Sequence, residues 1–329
     1  MGRRAKLLPL LLAVLLLGGC GAASQESVSE EDVQAAFTDA AELNGVDIES
    51  EAVALAGEPA LITTLQPEAS GTLVKENSKA EIDYSNTADG YVMVKYTAAT
   101  AKKLKAQVRG PSTTYTYDLT AGGDWATFSL SDGNGDYTVT VYENITGTKY
   151  AAALSVSFTA ALKDEFAPFL LPNQYVNFKP GSKTVAKAAA LTKGMTEPLD
   201  KVKAVYNFVV TNLTYDKKKA QTVQSGYLPV LDDVLAAKKG ICFDYAALMA
   251  GMLRSQGVPA KLVVGYAGTA YHAWINVYSE EDGWINGAIY FDGTSWERMD
   301  PTFASSAKQS ASIMKYIGDG ANYTAKYIY

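Results

Sequence analysis

Residues 240–259 read Gly240-Ile241-Cys242-Phe243-Asp244-Tyr245-Ala246-Ala247-Leu248-Met249-Ala250-Gly251-Met252-Leu253-Arg254-Ser255-Gln256-Gly257-Val258-Pro259, and the reading of the fold turns on them. Ala246 to Gln256 is a run of strong helix formers. Gly257 is placed to close it in the left-handed conformation, and Pro259 cannot continue it. Cys242 stands at the start of that helix. A thiol there faces the positive end of the macrodipole and amides without intrahelical partners, which favours thiolate over thiol and leaves donors beside it for an oxyanion. The chain has two cysteines, Cys20 and Cys242, and one histidine, His272.

The N-terminus explains why Cys242 stands apart. Met1 to Lys6 is basic, and Leu7 to Leu17 is an apolar run of 11 residues ending at Gly18-Gly19-Cys20. That run is too short to span a membrane but fits a signal peptide. Its ending resembles a bacterial lipobox with Cys20 as the lipidated residue; ordinary secretion with cleavage near Ala22 or Ala23 is the alternative. On either reading the mature chain is extracytoplasmic, and on the first it is lipid-anchored to the membrane of a bacterial envelope. Cys242 then has no disulfide partner, and a free thiol in an exported protein is either buried or used.

Charge and composition exclude other classes. Removing Arg3, Arg4 and Lys6 with the signal peptide leaves a net charge of about −9, which argues against nucleic acid as a partner. One histidine and one mature cysteine cannot make a zinc site, and the acids lack calcium-loop spacing, so no metal or other cofactor is expected. Oligomeric state leaves no trace in the sequence.

Five segments follow. Residues 1–19 are the signal peptide, and residues 20–72 are expected to be a mostly disordered tether, rich in Ala, Glu, Ser and Thr, with a short helix after Ser29. Over residues 73–162 the period is two. The β-rich runs are Tyr91–Tyr96, Leu104–Val108, Thr114–Tyr117, Thr127–Leu130, Tyr137–Tyr142 and Leu154–Phe158, with turn signals such as Gly122-Gly123-Asp124 between them. They suggest an all-β, immunoglobulin-like sandwich without the Cys…Trp…Cys signature. Residues 163–195, with Pro168, Pro172 and Pro180, read as an extended connector. Residues 196–329 change to helices and then strands: helices at Pro198–Val209, Val230–Lys238 and Ala246–Gln256, then strands at Ala260–Tyr266, His272–Tyr278, Trp284–Phe291 and Ser295–Met299. This half is α+β.

His272 opens one of those strands and Asp300 closes another. On neighbouring antiparallel strands the start of one lies beside the end of the next, so Asp300 is placed to orient the ring of His272 while the other ring nitrogen faces Cys242. Asp292, followed by Gly293, is nearer in sequence but reads as a turn, and Asp300-Pro301 also has turn character. Trp274, Trp284 and Trp296 are core or cleft wall.

At these residues a resemblance becomes specific. Gly240 to Leu248, then Gly257-Val258-Pro259-Ala260, then His272-Ala273-Trp274, then Asp300-Pro301-Thr302 resemble the transglutaminase-like superfamily core. The order Cys, His, Asp and the intervals of 30 and 28 residues agree with it. Val205 to Asp216 resembles the helix that precedes the nucleophile. The likeness runs from Thr196 to Phe303, about a third of the chain. It implies a papain-like fold with Cys242 as nucleophile, His272 as base and acid, and Asp300 as orienter, and Tyr215 as a candidate oxyanion donor. The implied activity is cysteine-dependent acyl transfer from a peptide or glutamine amide, either to water, as a peptidase or amidase, or to an amine, as a cross-linking enzyme. The implied substrate is a surface protein or a cell-wall peptide. The alternative of another class is a non-catalytic adhesin or scaffold with a relic papain-like half.

Overall fold

The computed structural model describes residues 65–280, 283–285, 289–291, 296–298 and 323–329. Cys20, Asp292 and Asp300 lie outside the described residues.

Two antiparallel sheets occupy residues 74–160. One runs in the order β1 (Val74–Glu76), β2 (Ala80–Asp83), β3 (Tyr91–Tyr96) and β6 (Ala126–Ser129). The other runs β5 (Thr114–Leu119), β4 (Leu104–Arg109), β7 (Gly135–Thr146) and β8 (Lys149–Ala160). Side-chain alternation sorts the faces: along β5, Tyr115, Tyr117 and Leu119 are buried while Thr114, Thr116 and Asp118 face out. Ile82, Val94 and Phe128 of the first sheet share one buried core with Val108, Tyr117 and Val139 of the second.

The last residues of the expected tether are held against this unit. The Tyr91 hydroxyl accepts from the Glu68 amide at 3.2 Å and donates to the Glu68 carbonyl at 3.1 Å, and Asp83 accepts from the Gly71 amide at 2.7 Å.

Beyond these sheets the described residues include five α-helices: α1 (Lys183–Leu191), α2 (Pro198–Asn212), α3 (Lys217–Thr222), α4 (Leu231–Ala237) and α5 (Cys242–Ser255). Helix α1 falls in the stretch read as a connector. Ser182 caps it by accepting from the Val185 amide. Asp232 of α4 ties it down, accepting from the Lys183 and Thr184 amides at 3.0 and 2.8 Å and from the Thr184 hydroxyl at 2.7 Å. Burial pushes that carboxyl up, but these donors outweigh it and hold it below the usual carboxylate range. Helix α4 ends at Lys238, in the left-handed region at φ 50°, two residues before the glycine expected to end it.

Helix α5 is the hub. Every residue from Asp244 to Ser255 is buried, as its nearly all-round apolar sequence requires. Helices α1, α2 and α4 pack on it, and so does a sheet ordered β13 (Gly283–Ile285), β12 (Ala270–Ser279), β11 (Ala260–Ala267) and β16 (Tyr323–Ile328). A side chain at Gly251 would lie 2.5 Å from Leu231 Cδ1, so the glycine lets α4 approach. The helix closes as its sequence indicates: Gly257, at φ 75°, donates to the Arg254 carbonyl, and Val258 donates to that of Leu253. Two short ladders complete the half, β9 (Thr214–Tyr215) parallel to β10 (Lys239–Gly240), and β14 (Ile289–Phe291) antiparallel to β15 (Trp296–Arg298).

Arg254, 3% exposed, joins three parts of the chain. Its guanidinium donates to the carbonyls of Ala260 on β11 at 2.9 Å, Leu171 before α1 at 2.8 Å and Tyr329 after β16 at 2.6 Å. Burial pulls Arg254 down to about 9, and the fork of donors facing three carbonyl oxygens keeps it protonated at neutral pH. Arg254→Met should therefore destabilise the protein by about 3 kcal/mol in urea unfolding, because buried carbonyls lose their donor. A change below about 1 kcal/mol would show that the fork is dispensable.

Candidate active site

The start of α5 is shaped by a carboxylate folded back on its own chain. Asp244, fully buried, accepts from the Ile241 amide at 2.8 Å, which satisfies one of the helix's open donors. The same carboxylate takes the Lys219 ammonium at 2.6 Å and the Tyr227 hydroxyl at 2.5 Å. Lys219 in turn donates to the Tyr227 oxygen at 2.6 Å. Burial and the carboxylate hold the Tyr227 phenol well above its ordinary value, so it stays a donor. Gly240 makes the fold-back possible, since a side chain there would lie 2.5 Å from Asp244 Cβ. Cys242 is thereby set on the first turn, partly exposed and free of any disulfide.

His272 stands on β12 opposite Gly265 of β11 and is 2% exposed. A side chain at Gly265 would lie 2.0 Å from the Thr324 carbonyl, so only glycine lets β16 pass here, at the register shift between Val264 and Gly265. Strand β16 brings the Tyr323 ring to 6.4 Å from His272 and 5.2 Å from Trp274. Trp274 is buried beside the histidine. Trp284 packs with Phe166, Phe169 and Tyr278 under the Lys261 ammonium. Neither tryptophan lines the cavity described next.

Cys242 and His272 line one cavity of about 510 Å³. Tyr215 lines it too, because β9 pairs with β10 and sets Tyr215 opposite Gly240. The loop 223–228 forms another side. The β-rich half supplies Lys105, Thr116 and Asp118, with Lys105 and Asp118 in an ion pair at 2.6 Å. Gln174, Tyr175, Tyr271 and Tyr329 line it as well. Burial, first among the causes, raises the phenols of Tyr175, Tyr271 and Tyr329, so the cleft is walled by hydroxyl donors at neutral pH. Cys242 is among the neighbours acting on Tyr271.

Three expected residues thus meet at one cavity. Asp300 and the rejected Asp292 lie outside the described residues, so their places are not part of this geometry. Among the described residues β15 pairs with β14, and β12 pairs with β11 and β13; the end of the strand expected to carry Asp300 is not among them. Sequence reasoning missed Gln174, Tyr271, Tyr329 and the wall from β4 and β5. Only Tyr271 carried a local signal, as the neighbour of His272. Among the described residues, no group of three His, Cys, Asp or Glu is placed to hold a metal ion.

The fold-back implies a coupled pair of substitutions. Gly240→Ala should destabilise by about 1–3 kcal/mol through overpacking, and Asp244→Ala by about as much through loss of the cap. Since both remove one arrangement, their effects in urea unfolding should be clearly less than additive. Full additivity would mean that the glycine and the carboxylate act independently.

Parts of the chain resemble known proteins. Residues 185–301 match the model of the transglutaminase-like superfamily. The uncharacterized protein YebA of Bacillus subtilis is 29% identical over 117 residues, covering 30% of this chain and 16% of YebA. A protein-glutamine gamma-glutamyltransferase of Pseudomonas aeruginosa is 34% identical over 71 residues, covering 17% of this chain and 11% of that protein. The chain thus corresponds to a small part of each relative. The solved periplasmic domain of TgpA from Pseudomonas aeruginosa is 15% identical, covering 75% of this chain and 99% of that one with a TM-score of 0.33. The segment built around α5, residues 185–301, thus matches the transglutaminase-like superfamily, and the described residues within it have a mixed α/β, papain-like fold.

Proposed function

We propose that the chain is an extracytoplasmic cysteine acyltransferase acting on a peptide or glutamine amide. The observation that carries this reading is that Cys242, on the first turn of a buried helix, and His272, on the adjoining sheet, line one cavity. In the proposed reaction the Cys242 sulfur adds to the amide carbonyl as its proton passes to a ring nitrogen of His272. Backbone amides at the start of α5, joined by the Tyr215 hydroxyl, receive the oxyanion. The tetrahedral adduct collapses, His272 gives its proton to the leaving amine or ammonia, and a thioester remains on Cys242. Water or a lysine amine then attacks the thioester, and the proton that the attacking group loses returns through His272 to the sulfur. Asp300 is assigned the second ring nitrogen of His272, holding its tautomer and offsetting its positive charge.

The glutamine amide is favoured by the likeness to the Pseudomonas aeruginosa relative, a protein-glutamine gamma-glutamyltransferase. An envelope location is supported by the basic and apolar N-terminus ending at Cys20, the proposed lipid site, and by the periplasmic setting of TgpA. Among the described residues no helix is long and apolar enough to cross a membrane. The β-rich half, read as immunoglobulin-like, forms one wall of the cleft in this account. The substrate is then a surface protein or cell-wall peptide.

Purified mature protein incubated with casein and a biotinylated primary amine should modify the casein, and Cys242→Ala should not. Amine incorporation means cross-linking, and cleavage without incorporation means hydrolysis. No difference between the two proteins would favour a non-catalytic scaffold and sink the proposal. In the same measurement Asp300→Asn should lower turnover by about 10²–10⁴-fold, whereas Asp292→Asn should leave it unchanged. The reverse pattern would move the third role to Asp292.

A further inference from the structure

The catalytic cavity has a neighbour. A second cavity of about 450 Å³ lies between the β-rich half and the segment before α1, with Trp125, Asp124 and Asn177 in its lining. Two residues, Gln174 and Leu228, line both cavities, so together they form the partition between them. Gln174 is held in one orientation, because its Nε2 donates to the Asp118 carbonyl at 2.6 Å. That bond leaves Oε1 buried with no hydrogen-bond donor. A buried acceptor in this condition is unfavourable until a donor reaches it.

From this we infer that Gln174 is a substrate-recognition residue, whose Oε1 accepts a backbone N–H of an extended polypeptide running from Cys242 across the partition into the second cavity. The inference rests on the acyl-transfer reading and adds to it that the substrate is a polypeptide several residues long. Oε1 is out of contact with solvent in the unliganded chain, so the side chains around it shift to admit the peptide. An extended peptide presents a free N–H at alternate positions along one edge. The mixed lining of the second cavity, with Trp125 and Leu119 beside Asn177 and Asp124, accommodates side chains of varied type.

The test uses the full mature chain with Cys242→Ala, so that binding is read without turnover. The probes are a fluorescein-labelled 12-residue glutamine-containing casein peptide and versions N-methylated at one backbone amide each. Fluorescence anisotropy should show one N-methyl peptide binding about 5- to 10-fold more weakly than the parent, as expected for one hydrogen bond. Adding Gln174→Leu should weaken the parent by a similar factor and abolish the sensitivity to that methyl group. Gln174→Glu loses the donor to Asp118 but keeps an acceptor, so it should retain the sensitivity, which a purely structural role for Gln174 would not require. Thermal melts identify any variant that fails to fold, in which case the other carries the test. Additive effects of methylation and substitution, or unchanged binding in Gln174→Leu, would overturn the inference while leaving acyl transfer intact. No binding by any peptide, together with no turnover by the wild type, would overturn both.

Discussion

The contact on which the rest of the structure depends is the fold-back of Asp244 onto the Ile241 amide. It is local, three residues along the chain, and it does two things at once. It closes the open end of the central helix, and it presents a buried negative charge to which Lys219 and Tyr227 attach. Through them α3 and the loop 223–228 are drawn over the same helix start, so one carboxylate sets both the position of Cys242 and one side of the cleft beside it. Gly240 is the condition for all of this, because any side chain there would occupy the space of Asp244. The motif from Gly240 to Asp244 is thus a piece of geometry before it is a piece of chemistry.

The cleft itself belongs to no single segment. Phe243, next to Cys242, reaches Tyr175, whose ring lies 4.3 Å from Tyr329, and Tyr329 touches Tyr115 and Tyr117 of β5. This chain of rings joins the helix start to the outer strand of the second sheet and to the end of β16. Arg254 makes a second link at the other end of α5, through carbonyls rather than rings. The β-rich half is therefore part of the cleft wall, and the reacting groups proposed here sit where three distant parts of the sequence converge.

How much of this could be read from the sequence follows from the range of the interactions. Helix α5 was legible because its helix formers, closing glycine and following proline are all local signals. The strands of the β-rich half were legible from alternation, except β1 and β2. Helix α1 was hidden by the prolines around it, and its main tie, to Asp232, comes from 48 residues away. Strand β16 was missed for the same reason: its partner β11 lies far back in the chain, and what admits it is the bare backbone of Gly265. The meeting of Cys242 and His272 was legible because few residues in the chain could serve. Gln174 and the wall from β4 and β5 were not, since nothing in their neighbourhoods distinguishes them until the chain is folded.

The central claim is that Cys242 forms a covalent acyl intermediate within this cavity. Mixing the mature protein with an excess of a glutamine-containing peptide, quenching in acid within the first turnovers and measuring intact mass tests it directly. The account predicts a species heavier than the protein by the peptide less ammonia, or by its acyl fragment if a backbone amide is cut. Fragmentation should place the adduct on Cys242, and hydroxylamine should release it as expected of a thioester. Substrate turnover with no such species, or with the adduct on another residue, would contradict the account.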